Sequence, residues 1–447
     1  MILISGYRHD LIVIMAVTLV VSSVVYGLMH LLLSRWEPRR RHDADASRGW
    51  ELPSPARWVG ESEAWIVFVL PCLNEGRVIA ASLERLIALD HGRIRILVVD
   101  DGSDDDTADI VRGYSDARVH LLQRTLPQAR QGKGEALNAA IAHIPGNILP
   151  SDVDPFNVIV CVVDADGRLE PNVLEEVLPC FAAETLGAVQ IGVRISNRAQ
   201  NLLARMQDIE FVLYTHVFQR GRRHLGSVGL GGNGQFVRLA ALRTLGPAPW
   251  TRSLTEDLDL GVRLMLRGWT TEFRSATAVH QQGLTDLRRW LRQRTRWFQG
   301  HLQSWPLIPW VLRDLTGTRR ADLLYHLTSP FLLLVGSFLL LAFGSWIFGL
   351  GVALVTGTLA PSWWWLSAYI IAFGLALAFG VRYWRIERRG DIGAVGAVAL
   401  LHVFVLYATL WYIAGWRAVA RSLTGRQGWA KTERHAEPDP QVTARAA

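Results

Sequence analysis

The sequence predicts an α/β domain, a mainly parallel sheet with helices on both faces, joined to transmembrane α-helices. Three observations carry that expectation. Short runs rich in Val, Ile and Leu alternate with helical stretches through the middle of the chain. Several of those runs end in acidic residues, and the carboxyl ends of strands are where ligands gather in an open α/β sheet. Finally, four longer apolar stretches flank the middle, each free of Asp, Glu, Lys and Arg before its ends.

Taken in order, Leu11–Leu33 is the first of these stretches, and about 20 apolar residues suffice to cross a bilayer. It is too long for a signal-peptide core and lacks a small-residue cleavage site, so residues 1–36 read as an uncleaved transmembrane anchor. Residues 37–64, rich in Pro, Arg, Asp and Ser, read as a linker. The domain expected over 65–284 has buried strands at Trp65–Leu70, Ile94–Val99, Val119–Leu122, Val158–Val163 and Ala188–Val193. Helices are expected between them at Arg77–Leu89, Asp106–Tyr114, Gly134–His143 and Asn172–Ala183, with a later one at Leu260–Arg267. Residues 285–322 mix Trp290, Leu291, Trp297, Leu302 and Trp305 with Arg288, Arg289, Arg292 and Arg296. That mixture suits interfacial amphipathic helices, the competing reading being an ordinary amphipathic helix packed on the domain. Residues 323–416 hold three further spans, at Ser329–Thr356, Trp363–Tyr383 and Ile392–Trp416, before a basic tail over 417–447.

Half of the 447 residues are hydrophobic and the net charge is +7. The basic excess sits beside the spans, at Arg35, Arg39, Arg40 and Arg41, and again at Arg382, Arg385, Arg388 and Arg389. Such flanks mark cytoplasmic loops and anionic membrane lipids rather than a nucleic-acid partner. They place the middle domain in the cytoplasm, and the Arg- and Ala-rich composition suggests a bacterial plasma membrane. Counting spans puts the C-terminus outside, whereas Arg417, Arg421, Arg426, Lys431 and Arg434 argue for inside. Cys72, Cys161 and Cys180 are too few and scattered for a disulfide framework or a zinc site, and are expected as reduced thiols.

The residues with chemistry fall at predicted strand ends. Asp100-Asp101-Gly102-Ser103 follows one strand, where carboxylates can accept from a base or a ribose hydroxyl; a capped, solvated turn is the competing reading. Asp164-Ala165-Asp166 follows another, and alternating carboxylates can hold a hard divalent cation that bridges a diphosphate. Lys133, between Gly132 and Gly134 at a helix start, is a candidate diphosphate contact, although the P-loop spacing is absent. Gly229–Gln235 is glycine-rich and could shape an acceptor pocket. Within Thr255-Glu256-Asp257, Asp257 suits a general base, taking a hydroxyl proton. His280 could complete a metal shell, but a satisfied histidine is the better reading. Gln293-Arg294-Thr295-Arg296-Trp297 joins guanidinium forks, which bind phosphate, to an indole that can stack on a sugar.

Taken together these motifs resemble the membrane-embedded glycosyltransferases of family 2, the group of the cellulose, hyaluronan, chitin-oligosaccharide and poly-N-acetylglucosamine synthases. The resemblance runs through Leu70–Glu75, Asp100–Ser103, Asp164–Asp166, Thr255–Asp257 and Gln293–Trp297. It implies a GT-A-type nucleotide-sugar-binding domain and an inverting, metal-dependent reaction. It further implies that Pro71, Asn74, Glu75, Asp100, Asp101, Lys133 and Arg296 bind the nucleotide, and that Asp164 and Asp166 hold Mg2+ or Mn2+. Asp257 would be the catalytic base beside Glu256, and Gly232, Asn233, Gln293 and Trp297 would line the acceptor end. The donor implied is a UDP-sugar, UDP-glucose or UDP-N-acetylglucosamine. The tail Trp429–Arg434 also looks like a short basic motif found near the active site of such relatives.

The resulting expectation is a processive enzyme that extends a β-linked polysaccharide and passes it through its own helices. A non-processive relative that glycosylates a membrane lipid carries the same motifs and is the alternative. A nucleotide-binding transporter or receptor is the reading from another class, disfavoured by few spans and the lack of an inverted repeat.

Overall fold

A computed structural model describes residues 2–37, 58–358, 363–387 and 392–425. Its strands are β1 (Trp65–Cys72), β2 (Ile94–Asp100), β3 (Val119–Gln123), β4 (Val158–Val162), β5 (Arg168–Leu169), β6 (Leu186–Ile195), β7 (Gln235–Arg238) and β8 (Thr270–Gln281). They form one sheet in the order β3-β2-β1-β4-β7-β6-β8-β5. The helices used below are α1 (Ile2–Leu33), α2 (Ile79–Ile87), α3 (Thr107–Arg112), α4 (Lys133–His143), α5 (Val173–Val177), α6 (Leu202–Leu213) and α7 (Arg220–Leu225). They continue with α8 (Leu239–Arg243), α9 (Glu256–Leu266), α10 (Leu287–Gln303), α11 (Ile308–Asp314), α12 (Gly317–Val355), α13 (Trp363–Ile386) and α14 (Ala394–Leu423).

The continuous apolar runs of β1 and β2 arise because successive side chains point to opposite faces and both faces are covered. Ile66, Phe68 and Leu70 pack with Ile79, Leu83 and Leu86 of α2 on one side. Val67 and Val69 pack with Ala136, Leu137 and Ala140 of α4 and Leu260 and Leu264 of α9 on the other.

The sheet is mixed rather than mainly parallel. β3, β2, β1 and β4 run parallel, but β7 runs antiparallel between β4 and β6, and β5 antiparallel to β8. Sequence reading missed β7 because Gln235 and Arg238 make it look polar. Arg238 is nevertheless wholly buried, its guanidinium 3.8 Å from the Phe156 ring, with Nε donating to the Leu186 carbonyl at 3.0 Å and Nη2 to that of Phe181 at 2.7 Å. A buried cation is tolerated when carbonyls satisfy its donors in this way. The expected helix Asn172–Ala183 stops being α-helical at Val177 and continues as a 3₁₀ turn over Leu178–Ala182, with Pro179 at its start.

The four expected spans fall within helices α1, α12, α13 and α14 to within two residues at their ends. Among the described residues, Gly317–Leu339 and Ala394–Leu423 are long and apolar enough to cross a membrane, and Val17–Leu33 is a shorter apolar stretch. A third core joins these helices to the domain: Met206 and Ile209 of α6 and Trp290 of α10 pack with Leu31, Tyr383, Leu401 and Tyr407. The tail motif Trp429–Arg434, the arginines at 39–41 and 388–389 and most of the linker lie outside the described residues.

Candidate active site

A cleft of about 1020 Å³ opens above the carboxyl ends of β1 and β4. Its wall includes Pro71, Glu75, Asp101, Lys133, Asp164 and Asp166, and it extends past Asp257, Gln293, Arg296 and Trp297 to α12 and α14. Of the candidates read from sequence, these stand on its wall together with Gly232, Asn233 and Glu256.

Two candidates, Asp100 and Asn74, lie off this wall. Asp100 was expected to face the crevice, but it is fully buried and accepts from the Ser103 backbone N–H at 3.0 Å and from Gln123 Nε2 at 3.3 Å. It holds the turn that presents Asp101, which pairs with Arg124. Burial pushes the Asp101 carboxyl up, against the pull of Arg124. Asn74 adopts φ 54° and ties two strand-end loops together. Its N–H donates to Ser103 Oγ at 2.9 Å, and its Oδ1 accepts from the Asp104 N–H at 2.7 Å.

Lys133 is the electrostatic centre. Its Nζ donates to Asp164 Oδ1 at 2.7 Å and to the Gly232 carbonyl at 2.9 Å, and stands 3.9 Å from Glu256 Oε1. Burial alone would lower its pKa, but Asp164, Glu256 and Asp257 hold it above the ordinary lysine value. Burial raises both neighbouring carboxyls at the start of α9: Glu256 against Lys133, and Asp257 against the hydrogen bond from the Leu258 N–H at 2.8 Å. Gly232, at φ 70°, brings backbone to this cluster; a Cβ there would stand 2.9 Å from Asp257 Oδ2.

Asp164 and Asp166 close the site from β4. The Asp164 N–H donates to Asn233 Oδ1 at 3.1 Å, Asn233 Nδ2 donates to Gln281 at 2.9 Å, and Asp166 accepts from the Gln282 N–H at 3.1 Å. Hard oxygen donors alternating at a strand end suit Mg2+ or Mn2+. Among the described residues no three His, Cys, Asp or Glu side chains gather as a self-contained metal set. Two carboxylates would supply part of such an ion's oxygen shell. His280 is no part of that set, being tied to Glu170 at 2.9 Å.

α10 carries the remaining candidates. Gln293 Oε1 accepts from Arg294 Nη1 at 2.9 Å, Arg296 pulls electrostatically on Glu256, and the Trp297 ring lies 4.0 Å from the Arg294 guanidinium carbon. Sequence reading missed Arg294. It is completely buried, bonded to Glu210 Oε2 at 2.9 Å and surrounded by Trp290, Trp297, Phe211 and Trp411. The signal was present: Trp290 and Trp297 lie four residues before and three after it, on the same helix face. Gln190 was missed as well; its side chain accepts from the Gly231 N–H at 2.8 Å and donates to the Asn233 carbonyl at 2.9 Å, fixing the glycine loop from below.

A sequence model described as "Glycosyltransferase like family 2" matches residues 64–300, more than half the chain and the whole of this cleft's domain side. The chain belongs to that family. It is a glycosyltransferase with a GT-A-like α/β fold, and it is similar to enzymes of two kinds of product. A β-monoglucosyldiacylglycerol synthase of Trichormus variabilis is 33% identical over 295 residues, 62% of this chain and 59% of that protein. A poly-β-1,6-N-acetyl-D-glucosamine synthase of Staphylococcus aureus is 25% identical over 257 residues, 57% of each. The chain thus spans less than two thirds of the length of either relative. Among solved structures, a mannosyltransferase of Pyrobaculum calidifontis in complex with GDP-Man and Mn2+ superposes with a TM-score of 0.55 at 18% identity, covering 92% of this chain and 98% of that one.

Proposed function

We propose that this glycosyltransferase moves a sugar from a UDP-sugar to a hydroxyl of a membrane lipid, with inversion at the anomeric carbon. The observation that carries the reading is the continuity of the cleft. It begins at the carboxylate and lysine cluster and ends among Phe298, Leu333, Trp411 and Tyr412, on α10 and the apolar helices α12 and α14. A lipid could enter between those helices while its head reaches Asp257. The similarity to β-monoglucosyldiacylglycerol synthases supports the lipid acceptor more than the extended polysaccharide expected from the motifs, and UDP-glucose is then the first donor to try.

In this mechanism Asp257 takes the acceptor proton as the hydroxyl oxygen attacks the sugar from the face opposite the diphosphate. Its raised pKa makes it a stronger base, once ionised, than a surface aspartate. Lys133 and Arg296 balance the negative charge of the leaving diphosphate, while Asp101 and Pro71 border the nucleoside end. A divalent ion held by Asp164 and Asp166 would neutralise charge developing on the leaving oxygens. The glycine loop, fixed by Gln190 and Asn233, keeps the acceptor side close to Asp257, and Trp297 offers a flat apolar face to the sugar. Membrane anchorage through α1, α12, α13 and α14 completes the reading, with the domain on the cytoplasmic side.

The test is product analysis with the purified protein in liposomes containing diacylglycerol, given radiolabelled UDP-glucose or UDP-N-acetylglucosamine and Mn2+. Label in a single-sugar, organic-extractable lipid is expected. Label confined to a non-extractable polymer would overturn the lipid reading in favour of a processive synthase.

A further inference from the structure

The far end of the cleft contains an arrangement that neither the motifs nor the family relationship assigns. α12 has Pro330 in its interior. A proline has no N–H, so the carbonyl four residues earlier, that of His326, loses its helical partner. His301 of α10 supplies a replacement: its Nε2 lies 2.9 Å from the His326 carbonyl oxygen, and Ser329 Oγ donates to the same oxygen at 2.7 Å. Helices in lipid tolerate proline when neighbouring side chains satisfy the freed carbonyl like this.

The replacement fixes the chemistry of His301. A carbonyl only accepts, so Nε2 must carry the proton, and in a neutral ring Nδ1 is then a bare acceptor. Burial pushes the His301 pKa down to about 4, so the ring is neutral near pH 7. His301 lines the cleft together with Ser329, Leu333, Trp411 and Tyr412. The cations that line the cleft are Lys133, Arg130, Arg252 and Arg296, and among the described residues no Lys or Arg lines the half between His301, α12 and α14. A neutral hydroxyl would find here an uncharged acceptor whose orientation is fixed by the helix beneath it, whereas the described wall of this half offers an anionic lipid head no cation.

We propose that His301 is the positioning residue for the acceptor, its Nδ1 accepting a hydrogen bond from a hydroxyl of a neutral lipid head held between α10, α12 and α14. This rests on the lipid-acceptor reading and adds the class of lipid: an uncharged hydroxyl lipid, not a lipid phosphate. A purely structural role, in which His301 only satisfies the carbonyl freed by Pro330, is the rival.

The two separate with His301→Gln and His301→Asn. Glutamine can keep a donor near the Nε2 position and satisfy the His326 carbonyl, but places no acceptor at Nδ1; asparagine places an amide oxygen near Nδ1. The experiment measures UDP affinity by calorimetry, melting temperature, and the KM for diacylglycerol and for a phosphorylated polyprenol in mixed micelles. The expected result is a KM for diacylglycerol about tenfold higher in His301→Gln, the loss of one hydrogen bond. Partial recovery in His301→Asn, unchanged UDP affinity in both variants, an unchanged melting temperature in His301→Gln, and little transfer to the lipid phosphate are expected with it. A wild-type KM in His301→Gln, a variant that only melts earlier, or preferred transfer to the lipid phosphate would overturn the assignment while leaving lipid glycosylation standing. Absence of any lipid product from the wild-type protein would overturn both.

Discussion

Gly300 of α10 lies directly against the backbone of Thr255, the residue that opens the Thr255–Asp257 segment. A Cβ at Gly300 would stand 2.5 Å from the Thr255 nitrogen and 2.8 Å from the Leu254 carbonyl carbon, distances no real Cβ keeps. Gln303, one turn on, accepts from the Leu254 N–H at 2.9 Å. The helix carrying Arg296 and Trp297 is thus also the support on which Asp257 is aimed.

Gly300→Ala is therefore expected to act on catalysis at a distance. The methyl group must displace backbone rather than a flexible side chain, and overpacking of this kind costs about 1–3 kcal/mol. A shift of about 1 Å in the segment lowers turnover by roughly 10²-fold. Of the residues proposed for the nucleotide, Asp101, Lys133, Asp164 and Asp166 lie on other elements and Arg296 alone shares α10, so UDP affinity should fall far less than turnover. Steady-state kinetics beside UDP calorimetry check this; a variant that loses UDP binding and turnover in parallel would mean the contact supports the whole domain instead.

Arg294 and Arg296, two residues apart, should answer mutation in opposite ways. Arg294 sits with Glu210 inside an aromatic enclosure, and Tyr407 also donates to Glu210. Arg294→Met removes the cation and leaves the Glu210 carboxylate without its charge partner, a change that costs about 3–5 kcal/mol for a buried pair. The melting temperature in detergent should drop sharply. Arg296→Met should melt near wild type and lose turnover, since it touches the cleft and not the enclosure. Equal thermal stability of the two variants would refute this division.

That division also marks where the sequence was legible. The strand ends were readable because β2 and β4 are largely apolar runs that lead into carboxylates, and a covered parallel segment leaves that trace. The motif around Gln293–Trp297 was readable as chemistry, and its helical spacing also places Arg294 on the face of Trp290 and Trp297 that encloses it. β7 was illegible in kind: its Arg238 satisfies three backbone carbonyls from distant segments, a pairing no local pattern announces. Asp100 and Asp101 illustrate the finer limit. Asp100 closes β2 with its side chain buried, and the first residue past the strand, Asp101, is the carboxylate on the cleft wall, a choice that composition does not show.

Asn74 offers a test of loop coupling at the nucleotide end. Its left-handed φ and its two bonds to the Ser103–Asp104 turn join the loop after β1 to the loop after β2. Asn74→Gly keeps the backbone angle at no steric cost but loses the bond to the Asp104 N–H, whereas Asn74→Ala loses that bond and adds strain of about 1–2 kcal/mol. UDP affinity should fall in the order wild type, glycine, alanine, with the alanine variant down by roughly tenfold. Calorimetry with UDP and Mn2+ measures it, and equal affinities across the series would remove Asn74 from any nucleotide role.

Asp257→Asn is the decisive change for the chemistry. Asparagine is isosteric and cannot take a proton, so turnover should fall by about 10²–10⁴-fold, the contribution typical of a general base. The substitution also removes one of the three carboxylates around Lys133, which leaves the amine still bonded to Asp164 and the Gly232 carbonyl; UDP affinity should therefore change little. Glu256 provides the internal control. It shares the same lysine and the same burial, yet Glu256→Gln should keep measurable turnover if Asp257 alone receives the proton. Chelation with EDTA adds an independent axis: it should abolish turnover in wild type, restored by Mn2+, and should weaken UDP binding equally in wild type and Asp257→Asn. Were Asp257→Asn to retain full turnover while Glu256→Gln lost it, the base would be Glu256, and the geometry around Gly232 would have to be read from that residue.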